Sequence, residues 1–264
     1  MNQVRAKKRL GQHFLTDMEV ARRIVSSLPL EAVNCVLEVG PGTGVLTQYL
    51  IENKDITFKA VELDGEAATY LRRRFPQLNL IEADFLKLDL SDIFPQSFSI
   101  IGNFPYNISS QIFFRLLDHK NKIPLLVGML QKEVAQRIAA PAGSRTYGIL
   151  SVFLQAYYDI EYLFTVDEHV FDPPPKVKSA VVRLTRNNVE KLECNEQLFR
   201  TVVKTAFNQR RKTMRNSLKS LVGENAELTN DTIFNLRPEQ LDVQAFVALT
   251  NKIEQANTDK CAKN

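Results

Sequence analysis

Three cysteines and three histidines in 264 residues leave little material for metal or redox chemistry. Cys35, Cys194 and Cys261 are scattered, form no C-x-x-C pair and have no histidine at metal-ligand spacing. A structural zinc and a disulfide framework are therefore not expected, and a reducing cytoplasm fits best. Long apolar runs are missing too. None approaches the length that crosses a bilayer, so no membrane association is expected. The basic start, Arg5-Ala6-Lys7-Lys8-Arg9, continues into Gly-Gln-His rather than an apolar stretch, which does not read as a secretory signal. Charge of one sign is not in large excess either. A net charge of +4 does not by itself imply nucleic acid; where the positive charge sits carries the information.

What is present is the profile of a soluble globular protein, with 44% hydrophobic and 24% charged residues. From Cys35 to about Leu130, apolar β-rich runs alternate with amphipathic stretches, which predicts a mostly parallel sheet with intervening helices. Strands are expected at Cys35–Val39, Thr57–Leu63, Leu78–Glu82, Ser97–Gly102 and Pro124–Met129. Helices are expected at Val45–Glu52, Gly65–Arg74, Ser109–His119 and Lys132–Ala139. Two further strand-like runs, Tyr158–Thr165 and Ala180–Thr185, flank a proline-rich turn at Phe171–Lys176 and read as an antiparallel addition to the sheet edge. After Arg186 helical periodicity takes over: Glu196–Asn208, with Leu198, Val202, Val203 and Phe207 on one face, then Lys212–Leu221, Asn230–Asn235 and Val243–Gln255. The expected division is a domain of residues 1–186 and a small all-helical domain of residues 187–264.

Three features at strand ends carry the chemistry. Glu38-Val39-Gly40-Pro41-Gly42-Thr43-Gly44 follows the first strand and opens a helix, so that the backbone turns tightly and a ligand can approach closely. Its third glycine comes one residue early for the dinucleotide fingerprint, the Lys-Ser/Thr pair of a P-loop is missing, and Pro41 removes an N–H that a phosphate cradle needs. A nucleoside without pyrophosphate fits better, with S-adenosylmethionine the obvious choice. Glu62 ends the second strand where a ribose-diol acceptor belongs, and Asp84 follows the third, where it could accept from an adenine amine. Either acid alone is more often an ordinary exposed strand-end residue or helix cap; with the glycine loop, after the right strands in the right order, the two favour a nucleoside site. Asn103-Phe104-Pro105-Tyr106 ends the fourth strand. Its side-chain and backbone carbonyl oxygens could take both hydrogens of an exocyclic amine, with the tyrosine as a stacking face. By itself this tetrapeptide is also plain turn chemistry.

These residues, with others, resemble one family almost end to end: the small-subunit ribosomal RNA adenine dimethyltransferases, the KsgA-type branch of the S-adenosylmethionine-dependent methyltransferases. The resemblance runs through Lys8–Leu15, the glycine loop, Asn103–Ser109, Met129–Val134, Phe171–Ser179 and Ala206–Leu218. It implies a Rossmann-like α/β sheet, mostly parallel with an antiparallel edge strand, plus a small C-terminal all-α domain. It also implies a cofactor site at His13, Leu15, Gly40, Glu62, Asp84 and Asn103. Asn103, Pro105, Tyr106 and Phe171 would serve catalysis, the two aromatics by stacking on the target adenine. His13 stands where the family more often has Asn, so a backbone contact is expected there more than a side-chain one. The expected reaction is transfer of methyl groups to N6 of two adjacent adenines near the 3′ end of 16S ribosomal RNA, by a monomer without a metal.

The densest positive run is Arg210, Arg211, Lys212, Arg215 and Lys219, with no acid between Asn208 and Val222. Such a run is often only a solvated face. Beside this family resemblance Arg210, Arg211, Lys212 and Arg215 are expected to bind RNA phosphates of the small subunit. Competing readings are a large-subunit adenine methyltransferase, a DNA adenine methyltransferase and a ribosome-assembly factor that binds without turnover.

Overall fold

A computed structural model describes residues 4–30, 34–223 and 226–262. Its strands are β1 (Phe14–Leu15), β2 (Cys35–Val39), β3 (Thr57–Glu62), β4 (Asn79–Glu82), β5 (Ser99–Asn103), β6 (Leu125–Gln131), β7 (Tyr158–Val166), β8 (Phe171–Asp172) and β9 (Ser179–Arg186). Seven of them form one sheet in the order β4-β3-β2-β5-β6-β9-β7. The five from β4 to β6 run parallel, and β9 lies antiparallel to β6. This is the expected mostly parallel sheet with an antiparallel addition. β2 is buried along its whole length, as a strand covered on both faces must be. The chain builds outward from β2 to β4 and then returns to add β5 and β6 on the other side. The reversal falls between β2 and β5, and ligands of such sheets bind outside the strand ends at that point.

The helices are α1 (Met18–Ser26), α2 (Thr47–Leu50), α3 (Gly65–Arg74), α4 (Ser109–Asp118), α5 (Lys132–Ala139), α6 (Ile149–Gln155), α7 (Glu196–Asn208), α8 (Met214–Ser217), α9 (Lys219–Val222), α10 (Ala226–Thr229) and α11 (Val243–Ala262). Local chemistry fixes several boundaries. Asp17 caps α1 by accepting from the N–H groups of Glu19 and Val20, and Asn195 does the same for α7 through Gln197 and Leu198. In α3 the cap is Asp64, and Arg72, Arg73 and Arg74 sit at the end where the helix dipole favours cations. α2 is shorter than the Val45–Glu52 expected, and Val45 and Leu46 continue the turn of the glycine loop instead. The expected helix over Lys212–Leu221 is broken at Leu218 into α8 and α9.

The chain forms two compact units. The first comprises the described residues of Met1–Ala135 with Asp159–Arg186; the second those of Gln136–Tyr158 with Asn187–Asn264. The chain crosses between them at the expected 186/187 position and also around residues 135 and 158. Gln136–Tyr158 belongs to the helical unit because its aromatic residues pack there: Phe153 lies 6.2 Å from Phe199 and Tyr147 6.3 Å from Phe207, centroid to centroid. The buried face of α7 is Phe199, Val202, Val203 and Ala206. Val202 and Val203 are as expected, but Phe199 and Ala206 take the middle of that face, and Leu198 and Phe207 lie half-buried at its edges.

Candidate active site

A cleft opens at the strand ends beside the reversal. Its lining includes seven of the predicted site residues: His13, Leu15, Gly40, Glu62, Asn103, Pro105 and Tyr106. Residues separated by as many as 93 positions thus meet in one place, because β2, β3 and β5 are neighbours whose carboxyl ends share one rim.

The glycine loop forms one wall. Gly40, Gly42 and Gly44 have φ of +68°, +57° and +79°, values that a side chain strains. A Cβ on Gly44 would lie 2.5 Å from the Phe75 ring, whereas one on Gly40 would meet only Pro105, at 3.9 Å. Gly40 therefore marks the gap between the glycine loop and the Asn103–Tyr106 loop. Two buried carboxyls underlie this wall. Glu62 accepts from Gly42 N (3.0 Å) and Asp64 N (2.9 Å), which ties the loop to the end of β3 and leaves each oxygen a further lone pair. Glu38 accepts from Thr47 Oγ1 at 2.6 Å. Burial raises both acids, against these hydrogen bonds, and pushes Glu38 up to about 8. Among the described residues, no lysine or arginine lines the cleft. A lining that offers carboxyl acceptors without a phosphate cradle suits a nucleoside ligand that carries no pyrophosphate, which is the character of S-adenosylmethionine.

The opposite wall is the loop after β5. Asn103 donates from Nδ2 to the His13 carbonyl at 2.9 Å. A carbonyl only accepts, so this bond fixes which way the amide faces and turns Oδ1 away as an acceptor. Phe104 is completely buried, its ring filling the slot above Gly102 and Gly128, which pair in register. A Cβ on Gly128 would come 2.2 Å from that ring. The Phe113 ring meets it edge-on at 6.5 Å. A bulky apolar residue thus pins the backbone between Asn103 and Pro105. The Pro105 carbonyl accepts from Ile108 N at 3.2 Å, which leaves the Phe104 carbonyl the freer second acceptor beside Asn103 Oδ1.

Lys7 to Leu15 runs across the cleft as a strap. Lys7 Nζ lies 2.5 Å from Asp64 Oδ1 and 2.6 Å from Glu66 Oε2. Gln12 joins the same network, accepting from Lys7 N and donating to Asp64. Burial pushes the Asp64 carboxyl up, but Lys7, Gln12 and the Glu66 N–H together hold it below the usual carboxylate range. The far end is held by the pairing of β1 with β8, Leu15 against Phe171. The His13 carbonyl is taken up by Asn103, and its imidazole turns to the Pro173 carbonyl (Nδ1, 2.7 Å) and beside the Tyr106 ring, 5.2 Å away.

Two predicted residues lie elsewhere. Phe171 is 4% exposed and packs in the core with Leu15, and it is not among the lining residues. Tyr106 is the aromatic that reaches the cleft. Asp84 caps the turn after β4 through Leu86 N (3.0 Å) and also lies outside the lining. Lys7, Gln12, Glu38 and Asp64 were not foreseen from the sequence. Gln12 and Glu38 stand inside recognisable motifs and Asp64 reads only as a helix cap, but nothing local signals the role of Lys7.

In the helical unit, Arg211, Lys212 and Arg215 are exposed. Arg210 is engaged instead, donating Nη2 to the Arg145 carbonyl at 2.5 Å with Nε 3.8 Å from Glu239. Among the described residues no cluster of His, Cys, Asp and Glu is suited to a metal, and no helix is long and apolar enough to cross a membrane.

Known proteins share this architecture. The chain is 57% identical over 259 residues to ribosomal RNA small subunit methyltransferase A of Bacteroides thetaiotaomicron, covering 97% of each chain. With the same-named protein of Parabacteroides distasonis it is 58% identical over 265 residues, 99% of this chain and 98% of that one. Among solved structures it resembles a dimethyladenosine transferase from Plasmodium falciparum, with TM-score 0.81, 23% identity, 93% of this chain and 98% of that one. It also resembles the 23S rRNA methyltransferase ErmE, with TM-score 0.68, 26% identity, 92% of this chain and all of that one. The Ribosomal RNA adenine dimethylase profile matches residues 3–255, and the chain belongs to that family of S-adenosylmethionine-dependent methyltransferases.

Proposed function

We propose that this protein transfers methyl groups from S-adenosylmethionine to N6 of two adjacent adenines in the 3′-terminal hairpin loop of 16S ribosomal RNA. The product is N6,N6-dimethyladenine, and the step belongs to small-subunit biogenesis in the cytoplasm. The protein acts as a monomer. The observation that carries this reading is the fixed amide of Asn103, whose Oδ1 is left facing as an acceptor by the bond from Nδ2 to His13.

The bound cofactor supplies an electrophilic methyl on a sulfonium. Glu62 holds the ribose hydroxyls, Gly40 faces the methionine portion, and Asp84 serves the adenine amine from the turn after β4. The target base leaves its stack and lies against Tyr106. Asn103 Oδ1 and the Phe104 carbonyl accept the two N6 hydrogens, which draws the nitrogen lone pair out of the ring and toward the methyl. The N–C bond forms as the S–C bond breaks, and the excess proton leaves N6 for water. Positioning and electrostatics carry most of the acceleration, without a general base. Phe171 contributes from beneath, by holding Leu15 of the strap. Residues 1–186 carry the chemistry, and residues 187–264 present Arg211, Lys212 and Arg215 to RNA phosphates.

The likeness to ErmE raises the large subunit as an alternative substrate. Identity of 57–58% to small-subunit enzymes against 26% to ErmE favours the small subunit. A purely binding role is disfavoured by the intact glycine loop, Glu62 and Asn103. The test offers labelled S-adenosylmethionine with a mixture of unmodified small and large subunits. Label is expected on small-subunit RNA, and label on large-subunit RNA overturns the reading.

A further inference from the structure

The Tyr106 hydroxyl lies 2.5 Å from Ser179 Oγ. Ser179 opens β9, is fully buried, and stands opposite Gln131 in the β6–β9 ladder, so its position is set by the sheet. Tyr106 belongs to the loop after β5. In the sheet β6 lies between β5 and β9, so the tyrosine side chain spans from the catalytic loop across the end of β6 to the start of β9. Burial pushes the phenol up, and the Ser179 bond opposes this only in part, so the hydroxyl stays protonated and able to bond at neutral pH. The His13 ring lies alongside, 5.2 Å away at 32°, and is itself tethered to the Pro173 carbonyl.

A free tyrosine ring turns about two side-chain torsions, and an adenine stacking on a swinging ring must first still it. An anchor at the hydroxyl, the atom farthest from the backbone, removes most of that motion before the base arrives. We propose that Ser179 is a positioning residue for methyl transfer, fixing through its hydroxyl the ring on which the target adenine stacks. The proposal rests on Tyr106 being that stacking face.

The test compares Ser179→Ala, Tyr106→Phe, their double variant and Tyr106→Leu, using unmodified small subunits and labelled S-adenosylmethionine. Loss of the one hydrogen bond that fixes the stacking ring corresponds to roughly a tenfold fall in kcat. Ser179→Ala and Tyr106→Phe should each show it, the double variant should fall no further, and KM for the subunit and cofactor affinity should stay within about twofold. Wild-type kcat in Tyr106→Phe, or multiplied losses in the double variant, would overturn the proposal. Should Ser179→Ala fail to fold, Tyr106→Phe decides alone: a lowered kcat at unchanged cofactor affinity supports the anchor, and an unchanged kcat sinks it. Wild-type kcat in Tyr106→Leu would instead refute the stacking role itself, and with it this proposal.

Discussion

Asn103 and His13, 90 residues apart, are joined by a 2.9 Å hydrogen bond from the side-chain amide of one to the backbone carbonyl of the other. The strap that carries His13 therefore sets the orientation of the residue proposed to grip the target amine. Replacing Asn103 with Ala removes the Oδ1 acceptor while touching neither the glycine loop nor Glu62. Methyl transfer should fall by about 100-fold or more, the scale seen when one preorganised polar group at a reacting centre is lost. Cofactor affinity by calorimetry should fall far less than turnover, and near-normal turnover in a folded, cofactor-binding variant contradicts the mechanism.

The strap's other end depends on Lys7, whose ammonium bridges Asp64 and Glu66. Lys7→Met leaves Asp64, only 2% exposed, without its cation. The strap should open more readily, so cofactor dissociation should speed up about two- to fivefold, with a weaker salt dependence than the parent shows. Stopped-flow displacement of a fluorescent cofactor analogue measures both. Identical rates and salt dependence mean that the strap is held by β1 and β8 alone.

A Cβ on Gly128 would come 2.2 Å from the Phe104 ring, so Gly128→Ala must shift the ring or the strand beneath it. Overpacking of this kind costs about 1–3 kcal/mol. Chemical denaturation should show that loss, and Gly128→Ala combined with Phe104→Leu should recover part of it. A double variant no more stable than the single one indicates that the strain lies elsewhere.

Glu38 gives stability a pH dependence of definite sign. Burial pushes its carboxyl up to about 8 in the folded chain, from 4.5. Between those values the unfolded chain has released a proton that the folded chain keeps, so this group makes stability fall as pH rises through the window, levelling off above about pH 8. Glu38→Gln removes that contribution. Relative to the parent, the variant should gain stability steadily from pH 5 to pH 8 in denaturation experiments. Parallel curves would show that Glu38 is ionised in the fold.

The basic run should divide by role. Arg211 and Lys212 are exposed, while Arg210 braces the Arg145 carbonyl. Changing Arg211 and Lys212 together to Ala should weaken small-subunit binding and flatten the slope of log affinity against log salt by about 1.4–1.8, two phosphate contacts' worth. Arg210→Ala should lower the thermal midpoint more than it changes that slope. The reverse pattern would make Arg210 the phosphate ligand.

Much of this was readable along the chain. The bounds of α3 and α7 follow from Asp64 and Asn195 as caps and from unbroken helical periodicity, and the parallel strands from their uniform apolar runs. α1 escaped notice because its buried stripe is short, only Ala21, Ile24 and Val25 among charged residues. α6 escaped because Ile149–Gln155 is apolar nearly all round and shows no period. In the site, residues that touch the cleft through a strand-end motif were legible. Those that act through partners 57 to 160 residues away were not, as with Lys7 on Asp64 and His13 on Pro173. Phe171 illustrates the limit: an aromatic beside a proline turn is identical in sequence whether it faces a ligand or, as here, fills the core under Leu15.

The central claim is that the fixed amide of Asn103 presents adenine N6 of small-subunit RNA for two successive methyl transfers. The most direct measurement digests small-subunit RNA to nucleosides after incubation of unmodified subunits with S-adenosylmethionine and either parent or Asn103→Ala protein, and weighs the products. The account predicts N6,N6-dimethyladenosine, two per subunit, with the parent and almost none with the variant. Methylation at another atom, methylation confined to the large subunit, or equal yield from the two proteins contradicts it.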